Sequence, residues 1–141
     1  MEEINEIYDL RETLEPALLP RTIENLDENG IERLKAALEK YDDAVQQKYR
    51  KQRLLATMEF HLTLASLSGP IGEKILRELF DLLYLKYKVD LLFPRPIERV
   101  NRGHREIFDH VVARDLEMAQ RLLLQDIREV RDTGSGLLYR S

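Results

Sequence analysis

The sequence predicts an all-α fold, an antiparallel bundle of about six helices. Apolar residues recur at steps of three and four along most of the 141-residue chain, which is the spacing of one face of a helix. Proline, glycine and short polar clusters divide the chain into helical segments, and no segment alternates for long enough to predict a strand. With 43% hydrophobic and 34% charged residues, the composition is typical of a folded, helix-rich domain.

The first predicted helix begins near Ile4 and contains two prolines. Because proline lacks the N–H of the helical hydrogen bond, Pro16 and Pro20 are expected to kink this helix or to separate a second piece at residues 21–26. The polar residues 27–30 follow, and their sequence, Asp-Glu-Asn-Gly, predicts a turn.

Three further helices are expected in the middle of the chain. The second covers about residues 31–48, and the third begins near Arg50 and ends at Ser68, where a glycine and a proline follow. The fourth begins at Pro70, since proline is favoured in the first turn, and extends to about Phe93, just before the next prolines.

The last two helices complete the predicted bundle. The fifth covers about residues 96–113, and Asp115 is a suitable N-cap for a sixth helix that ends near Val130. The glycine-containing end of the chain predicts a flexible tail. At this length we expect a single domain, with residues 1–132 as the helical domain and residues 133–141 as the tail.

Charge and composition argue against several functions. The 22 Lys and Arg residues are outnumbered by 26 Asp and Glu residues, and residues 48–53 are the one basic cluster, so the chain lacks a basic surface for DNA. Zero cysteines exclude disulfides, zinc–thiolate sites and thiol catalysis. No apolar stretch approaches the roughly 20 residues of a membrane span, and the acidic residues 1–3 are unlike a secretion signal. We therefore expect a cytoplasmic protein without a membrane partner.

Three polar residues interrupt the apolar faces of three different helices. His61 lies on the apolar line of the third helix, His104 on that of the fifth and Asp126 on that of the sixth. Burying an ionisable group without a partner is costly. The three residues together therefore predict a shared polar site, a central ligand cavity inside the bundle.

These three side chains suit a divalent transition metal. Two neutral imidazoles and one carboxylate on rigid helices offer nitrogen and oxygen ligands to Zn, Ni, Mn or Fe, with positions left for water or a ligand. The alternative for each histidine alone is a core residue that is hydrogen-bonded to the backbone or to a tyrosine. Both interpretations stay open from the spacing alone.

Two more residues are candidates for contact with a ligand. Arg11 lies on the apolar face of the first helix, where it either receives an acidic ligand or forms an internal ion pair with Glu15. Thr57 lies one turn before the histidine of the third helix and offers its hydroxyl to a metal, water or ligand, or else to its own helix backbone. His110 lies on a different side of the fifth helix and is expected at the surface.

The sequence also resembles a known family, the effector-binding C-terminal domain (FCD domain) of FadR-type regulators in the GntR transcription-factor family. Three passages carry the resemblance, each loose alone, and together they cover nearly the whole chain in the family's order. They are residues 7–16 (Ile-Tyr-Asp-Leu-Arg-Glu-Thr-Leu-Glu-Pro), residues 60–69 (Phe-His, then Leu-Ala-Ser-Leu-Ser-Gly) and residues 104–119 (His-Arg-Glu-Ile, then Ala-Arg-Asp).

This resemblance implies a metal site. Metal-binding members of the family use an Asp, a His one turn later, a second His in the later passage and a third His on the last helix. By position these correspond to Thr57, His61, His104 and Asp126, so the chain departs from the family at the first and the last. The departures imply either a metal site with its carboxylate relocated or a polar ligand cavity without metal, and we expect the altered metal site.

The residues and the resemblance together predict the effector-sensing and dimerisation domain of a bacterial GntR/FadR-type transcription regulator. The domain would form a homodimer and bind a small organic acid, a carboxylate, through a divalent metal, with Arg11 and Thr57 in contact with the ligand. It would not be an enzyme. In this family DNA is bound by an N-terminal winged helix-turn-helix, which is expected to be absent from this chain. Either the chain is an excised domain or the protein lacks the DNA reader, and we expect the former.

Two rival functions stay open. A metal-dependent hydrolytic enzyme would need a base, and Glu59 and Glu106 are the candidates, although both lie off the apolar faces. A helical protein-interaction module would need neither metal nor ligand.

Overall fold

The computed structural model describes residues 2–46, 50–88 and 103–139, with side chains described as far as Arg131. Within these ranges the chain forms helices and no strand, which confirms the all-α class. The helices are α1 (Glu2–Asn25), α2 (Glu28–Ala44), α3 (Arg50–Ser68), α4 (Pro70–Tyr87), α5 (Gly103–Val112) and α6 (Leu116–Tyr139).

The helices pack as a bundle in which α1 and α3 are central. α1 packs against α3, α4 and α6, while α3 also packs against α2 and α4, and α5 packs against α6 and α2. α1 and α4 run antiparallel, because Glu3 pairs with Lys86 near one end and Gly72 meets Leu18 near the other. A single large apolar cluster draws residues from all six helices.

The C-terminal half of α1 is fixed against the end of α3 by side-chain hydrogen bonds. Thr22 Oγ1 donates to Leu64 O at 2.8 Å, and Asn25 Nδ2 donates to Leu67 O at 2.9 Å. The second bond satisfies a carbonyl in the last turn of α3, which would otherwise lack an intrahelical partner. Both bonds also fix how the buried face of α1 lies against α3, which carries His61.

α1 is one helix through both of its prolines, so the predicted separate piece at residues 21–26 is wrong. Pro20 has no N–H to donate to Pro16 O. Gln120 of α6 replaces this donor, because its Nε2 lies 3.0 Å from Pro16 O. Gln120 of α6 thus supplies the hydrogen-bond donor that Pro20 lacks.

The predicted turn at residues 27–30 is instead the start of α2. Asp27 is the N-cap, and its carboxylate accepts a hydrogen bond from Gly30 N at 2.7 Å. An N-cap and a turn share the same residue types, which explains the error. α2 ends at Ala44, and residues 47 and 48 of the predicted second helix lie outside the described residues.

α4 begins at Pro70 as predicted, and residues 89–102 lie outside the described part of the chain, including the predicted end of the fourth helix and the predicted start of the fifth. Asp115 caps α6, since its carboxylate accepts a hydrogen bond from Met118 N at 3.3 Å. α6 continues to Tyr139, beyond the predicted end near Val130. The division of the chain into a domain and a tail stays a prediction.

The connection between α5 and α6 is held by Arg114. Its φ of 60° lies in the left-handed region, which is unfavourable for a residue with a side chain. Its guanidinium donates to Ile23 O at 2.5 Å and to Leu26 O at 3.2 Å, and so caps the end of α1. Over the described residues, no helix is long and apolar enough to cross a membrane.

Candidate metal centre

His61, His104 and Asp126 converge inside the bundle. His61 Nε2 lies 3.0 Å from Asp126 Oδ2, and His104 Nε2 lies 3.3 Å from the same oxygen. One donor atom from each residue falls within 4.8 Å of the others. The three side chains come from α3, α5 and α6, and each residue is no more than 2% exposed. The convergence predicted from their spacing is thus present in the structure.

The surroundings of His104 suit a role as a metal ligand. Neither of its ring nitrogens has a hydrogen-bond partner among the described residues, because the direction of Nε2 towards Asp126 is not that of a hydrogen bond. A buried polar group without a partner is rare and costly. Its ring is held between Phe60, stacked at 4.6 Å, and Tyr41, tilted at 4.4 Å, so these aromatic neighbours fix its position. Two imidazole nitrogens directed at one carboxylate oxygen are a donor set that suits a divalent cation.

Glu15 of α1 extends this cluster on the far side of His61. Its Oε1 accepts a short hydrogen bond from His61 Nδ1, while His61 Nε2 faces Asp126. A carboxylate behind a histidine fixes the ring orientation and leaves the other nitrogen directed at the site. Glu15 was predicted only as a partner for Arg11, so its contact with His61 was missed.

Arg11 supports Glu15 in turn. Its Nε donates to Glu15 Oε2 at 2.7 Å, and both side chains are about as buried as the core leucines. The guanidinium also lies 4.6 Å from the ring centroid of Phe80, which faces His61 edge-on. The ion pair is the alternative that the sequence left open for Arg11. A role in ligand binding stays a prediction.

The charges of this cluster alternate. Burial opposes the charged form of His61, but the Glu15 carboxylate and the hydrogen bond to Asp126 raise its pKa to about 9. Burial likewise opposes ionisation of Glu15, yet Arg11 and His61 hold its pKa below the usual range. The two imidazoles outweigh burial at Asp126 and lower its pKa, whereas burial lowers the pKa of His104. At neutral pH without metal, His61 is therefore cationic and His104 neutral.

A small cavity lies beside His61. It has room for about one water molecule. The cavity is smaller than an organic acid, so a ligand of that size requires side chains or helices to move apart. It is lined by Glu15, Leu18, Leu19, Thr22, His61, Leu64, Ala65 and Leu123.

The other candidates have ordinary structural contacts. Thr57 is buried, and its hydroxyl donates to Arg53 O at 2.9 Å, which is the backbone alternative considered above. His110 lies outside the cluster, and its Nδ1 contacts Glu106 O at 2.8 Å. Glu59 and Glu106, the bases that a hydrolytic enzyme would need, are both exposed, and Glu59 pairs with Lys40 at 2.8 Å. No described feature therefore favours the enzyme.

Comparisons with known proteins agree with this architecture. The family model named FCD domain matches residues 6–129. A solved structure, Streptococcus agalactiae GntR, is similar with a TM-score of 0.75 and 23% identity, over 93% of this chain and 58% of that chain. This chain thus spans less than two thirds of its structural relative. No curated protein matches. Since the family model covers most of the sequence and every residue of the buried cluster, the chain belongs to the FCD domain family.

Proposed function

We propose that this domain is the effector-sensing part of a bacterial GntR-type transcription regulator, and that it senses a small carboxylate through a divalent metal. His61, His104 and Asp126 are the metal ligands in this proposal. The observation that carries it is the pair of imidazole nitrogens 3.0 and 3.3 Å from one buried carboxylate oxygen, one of them in a ring without a hydrogen bond among the described residues.

The replacement of two family residues is consistent with a retained site. Thr57 stands where metal-binding members have Asp, and Asp126 stands where they have His, so one carboxylate and two imidazoles remain. The carboxylate has moved from α3 to α6, and the structure brings it between both histidines. Nitrogen and oxygen ligands of this number suit Zn, Ni, Mn or Fe.

Charge explains why the ligand would be an anion. Without metal, the cationic Arg11 and His61 balance the anionic Glu15 and Asp126. A divalent ion would supply two positive charges and open coordination positions. His61 gives up one proton when Nε2 becomes a ligand, so the site then has an excess of one positive charge. A carboxylate restores neutrality in this buried environment, where an unpaired charge is costly.

The position of the cluster links ligand binding to helix packing. Its side chains come from α1, α3, α5 and α6, and the cavity beside His61 holds about one water molecule. A larger ligand therefore favours an arrangement with these helices further apart. Different affinities for two arrangements are the physical basis of a ligand-controlled switch. In the proposed regulator, Arg11 and Thr57 would contact the ligand in the opened arrangement.

The remaining parts of the proposal concern the whole regulator. The domain would form homodimers in the bacterial cytoplasm, and a winged helix-turn-helix on the N-terminal side would bind DNA. The net charge of −4 on this chain agrees with DNA contacts that are made elsewhere.

Elemental analysis of purified protein, followed by thermal unfolding with a panel of small organic acids, tests the proposal. We expect one divalent ion per chain in the wild type and loss of this ion in Asp126→Asn. Asp109→Asn is the matched control, because this aspartate is exposed on α5. A ligand at 100 times its dissociation constant stabilises the fold by about 2.7 kcal/mol.

The neutral amide of each stabilising acid is the control for charge. We expect the acid to raise the unfolding temperature of metal-loaded wild type and the amide to leave it unchanged. Wild type that binds no divalent ion would contradict the metal site. Metal-loaded protein that no organic acid stabilises would contradict the carboxylate effector.

A further inference from the structure

α4 exposes a row of large apolar side chains on the side away from the core. The row consists of Ile71, Ile75, Leu82 and Leu85, whose exposed fractions are 74%, 44%, 50% and 58%. They are four of the seven exposed large hydrophobic residues in the described part of the chain. Such concentration on one helix indicates an interaction surface, because scattered exposed leucines are common but continuous apolar patches are not.

The spacing of the row is that of a helix-packing seam. Starting at Ile71, steps of four, three, four and three reach 75, 78, 82 and 85, and Glu78 is the one polar member. Alternating steps of this kind keep one face of a helix against a partner helix over several turns. The buried residues of α4, among them Leu76, Phe80 and Leu83, form the opposite face.

We propose that this row is the homodimer interface, with α4 packed antiparallel to α4 of a second copy around a two-fold axis at Glu78. In this register Ile75 lies opposite Leu82 of the second copy, and Ile71 lies opposite its Leu85. The two positions of each pair lie at nearly equal distances on either side of residue 78. The surface is therefore complementary to itself, as a two-fold interface requires.

Charge complementarity supports a second copy as the occupant. Lys74 and Asp81 flank the row on the same edge of α4, and both are exposed. In the antiparallel register each Lys74 lies opposite Asp81 of the other copy, which gives two equivalent ion pairs. Neither residue forms an ion pair with another described residue, whereas Arg77, further round the helix, already pairs with Glu73. In a parallel arrangement Lys74 and Asp81 of the two copies would lie on opposite sides of the seam, and these ion pairs would not form.

Glu78 is expected to lower the stability of the dimer. It would meet its own copy at the axis, and like charges in direct opposition are destabilising. The same helix contacts the proposed metal centre from its inner face, since Phe80 lies against both Arg11 and His61. A ligand-dependent movement of α1 or α3 would therefore be transmitted to the dimer surface by α4.

The inference rests on the dimeric part of the proposed function and not on metal binding. Analytical ultracentrifugation of three variants tests it: Lys74→Glu, Asp81→Lys, and an equimolar mixture of the two. Each variant alone has two repulsive pairs, and we expect its dimer to dissociate about tenfold more readily than wild type. In the mixture, Glu at 74 faces Lys at 81 and Asp81 faces Lys74, so a heterodimer should recover the wild-type affinity.

A disulfide test locates the axis. The chain has no cysteine, so Glu78→Cys introduces a single thiol, and we expect mild oxidation to link two copies. Glu39→Cys, on an exposed position of α2, is the matched control and should stay unlinked. Wild-type protein that sediments as a monomer would overturn the inference, as would a dimer that ignores both charge reversals. In either case, the metal content of the same samples still tests the metal centre separately.

Discussion

Replacement of Glu15 by glutamine tests whether the buried cluster is one charge network. The substitution keeps the shape of the side chain and removes one negative charge. Arg11 then remains in the core, 2% exposed, without its ion-pair partner. Arginine cannot relieve this by losing its proton. His61 loses the carboxylate charge that chiefly raises its pKa.

The magnitude follows from burial. Removing one partner of a buried ion pair costs about 3–5 kcal/mol. For a chain of this size, each kcal/mol lowers the unfolding temperature by roughly 4 °C, so the expected decrease is about 12–20 °C. Metal affinity should also fall by about 10–100-fold, because Glu15 orients His61 from behind.

Glu12→Gln is the matched control, since it is the same change on the same helix. Glu12 pairs with Arg128 and Arg131 near the surface, where such pairs contribute at most about 1 kcal/mol. Thermal unfolding of chelator-treated protein and competition with a metal indicator supply the two measurements. If Glu15→Gln destabilises no more than Glu12→Gln, the buried network does not hold the fold. If it destabilises but leaves metal affinity unchanged, Glu15 does not orient His61.

Two further substitutions distinguish the roles of the other site residues. His104→Ala should abolish retention of a divalent ion through dialysis while His110→Ala retains it, because only His104 lies in the buried cluster; equal retention by both would exclude His104 as a ligand. Thr57→Asp restores the family's carboxylate at an 8% exposed position, so it should destabilise metal-free protein through the added buried charge and tighten metal binding. Unchanged metal affinity in Thr57→Asp, measured by indicator competition, would show that position 57 does not reach the metal.

Much of the fold and the three converging residues could be predicted from the sequence. His61, His104 and Asp126 each lie on an apolar line of their helix at steps of three and four, so the sequence alone indicates that they face the core. One boundary that failed was decided by a distant residue. α1 passes through its prolines because Gln120 satisfies Pro16 O, and that contact spans more than a hundred residues of sequence.

Glu15 was missed for a different reason. The face assigned to α1 ran through Leu14 and Leu18, which are only half-buried, whereas Glu15 and Leu19 are fully buried. α1 contacts three other helices, so its buried face is wide enough to contain both lines. Counting apolar residues at helical spacing favours the line through Leu14 and Leu18 over the line that contains the charged Glu15. His61 is the partner that makes burial of Glu15 tolerable. It lies on another helix, so the spacing of residues within α1 cannot predict this contact.

The same geometry predicts opposite pH trends for stability and for metal affinity. His61 is flanked by Glu15 and Asp126, with Arg11 behind Glu15 and the His104 ring 5.3 Å away. Its pKa is raised from 6.5 to about 9, so the protonated ring stabilises metal-free protein below pH 6.5. This contribution, about 3 kcal/mol, is lost as the pH rises through 9. The lowered pKa values of Glu15, Asp126 and His104 leave these groups unchanged across the window.

Metal binding has the reverse dependence, because His61 must release the proton that stabilised the empty site. Between pH 6.5 and 8.5 the apparent affinity should rise about tenfold per pH unit, while the unfolding temperature of chelator-treated protein falls. Competition with a chelator of known proton affinity measures the first trend, and thermal unfolding measures the second. In Glu15→Gln both slopes should flatten, since His61 is then neutral at lower pH. Slopes of the same sign in wild type would contradict the exchange of a proton for a metal at His61.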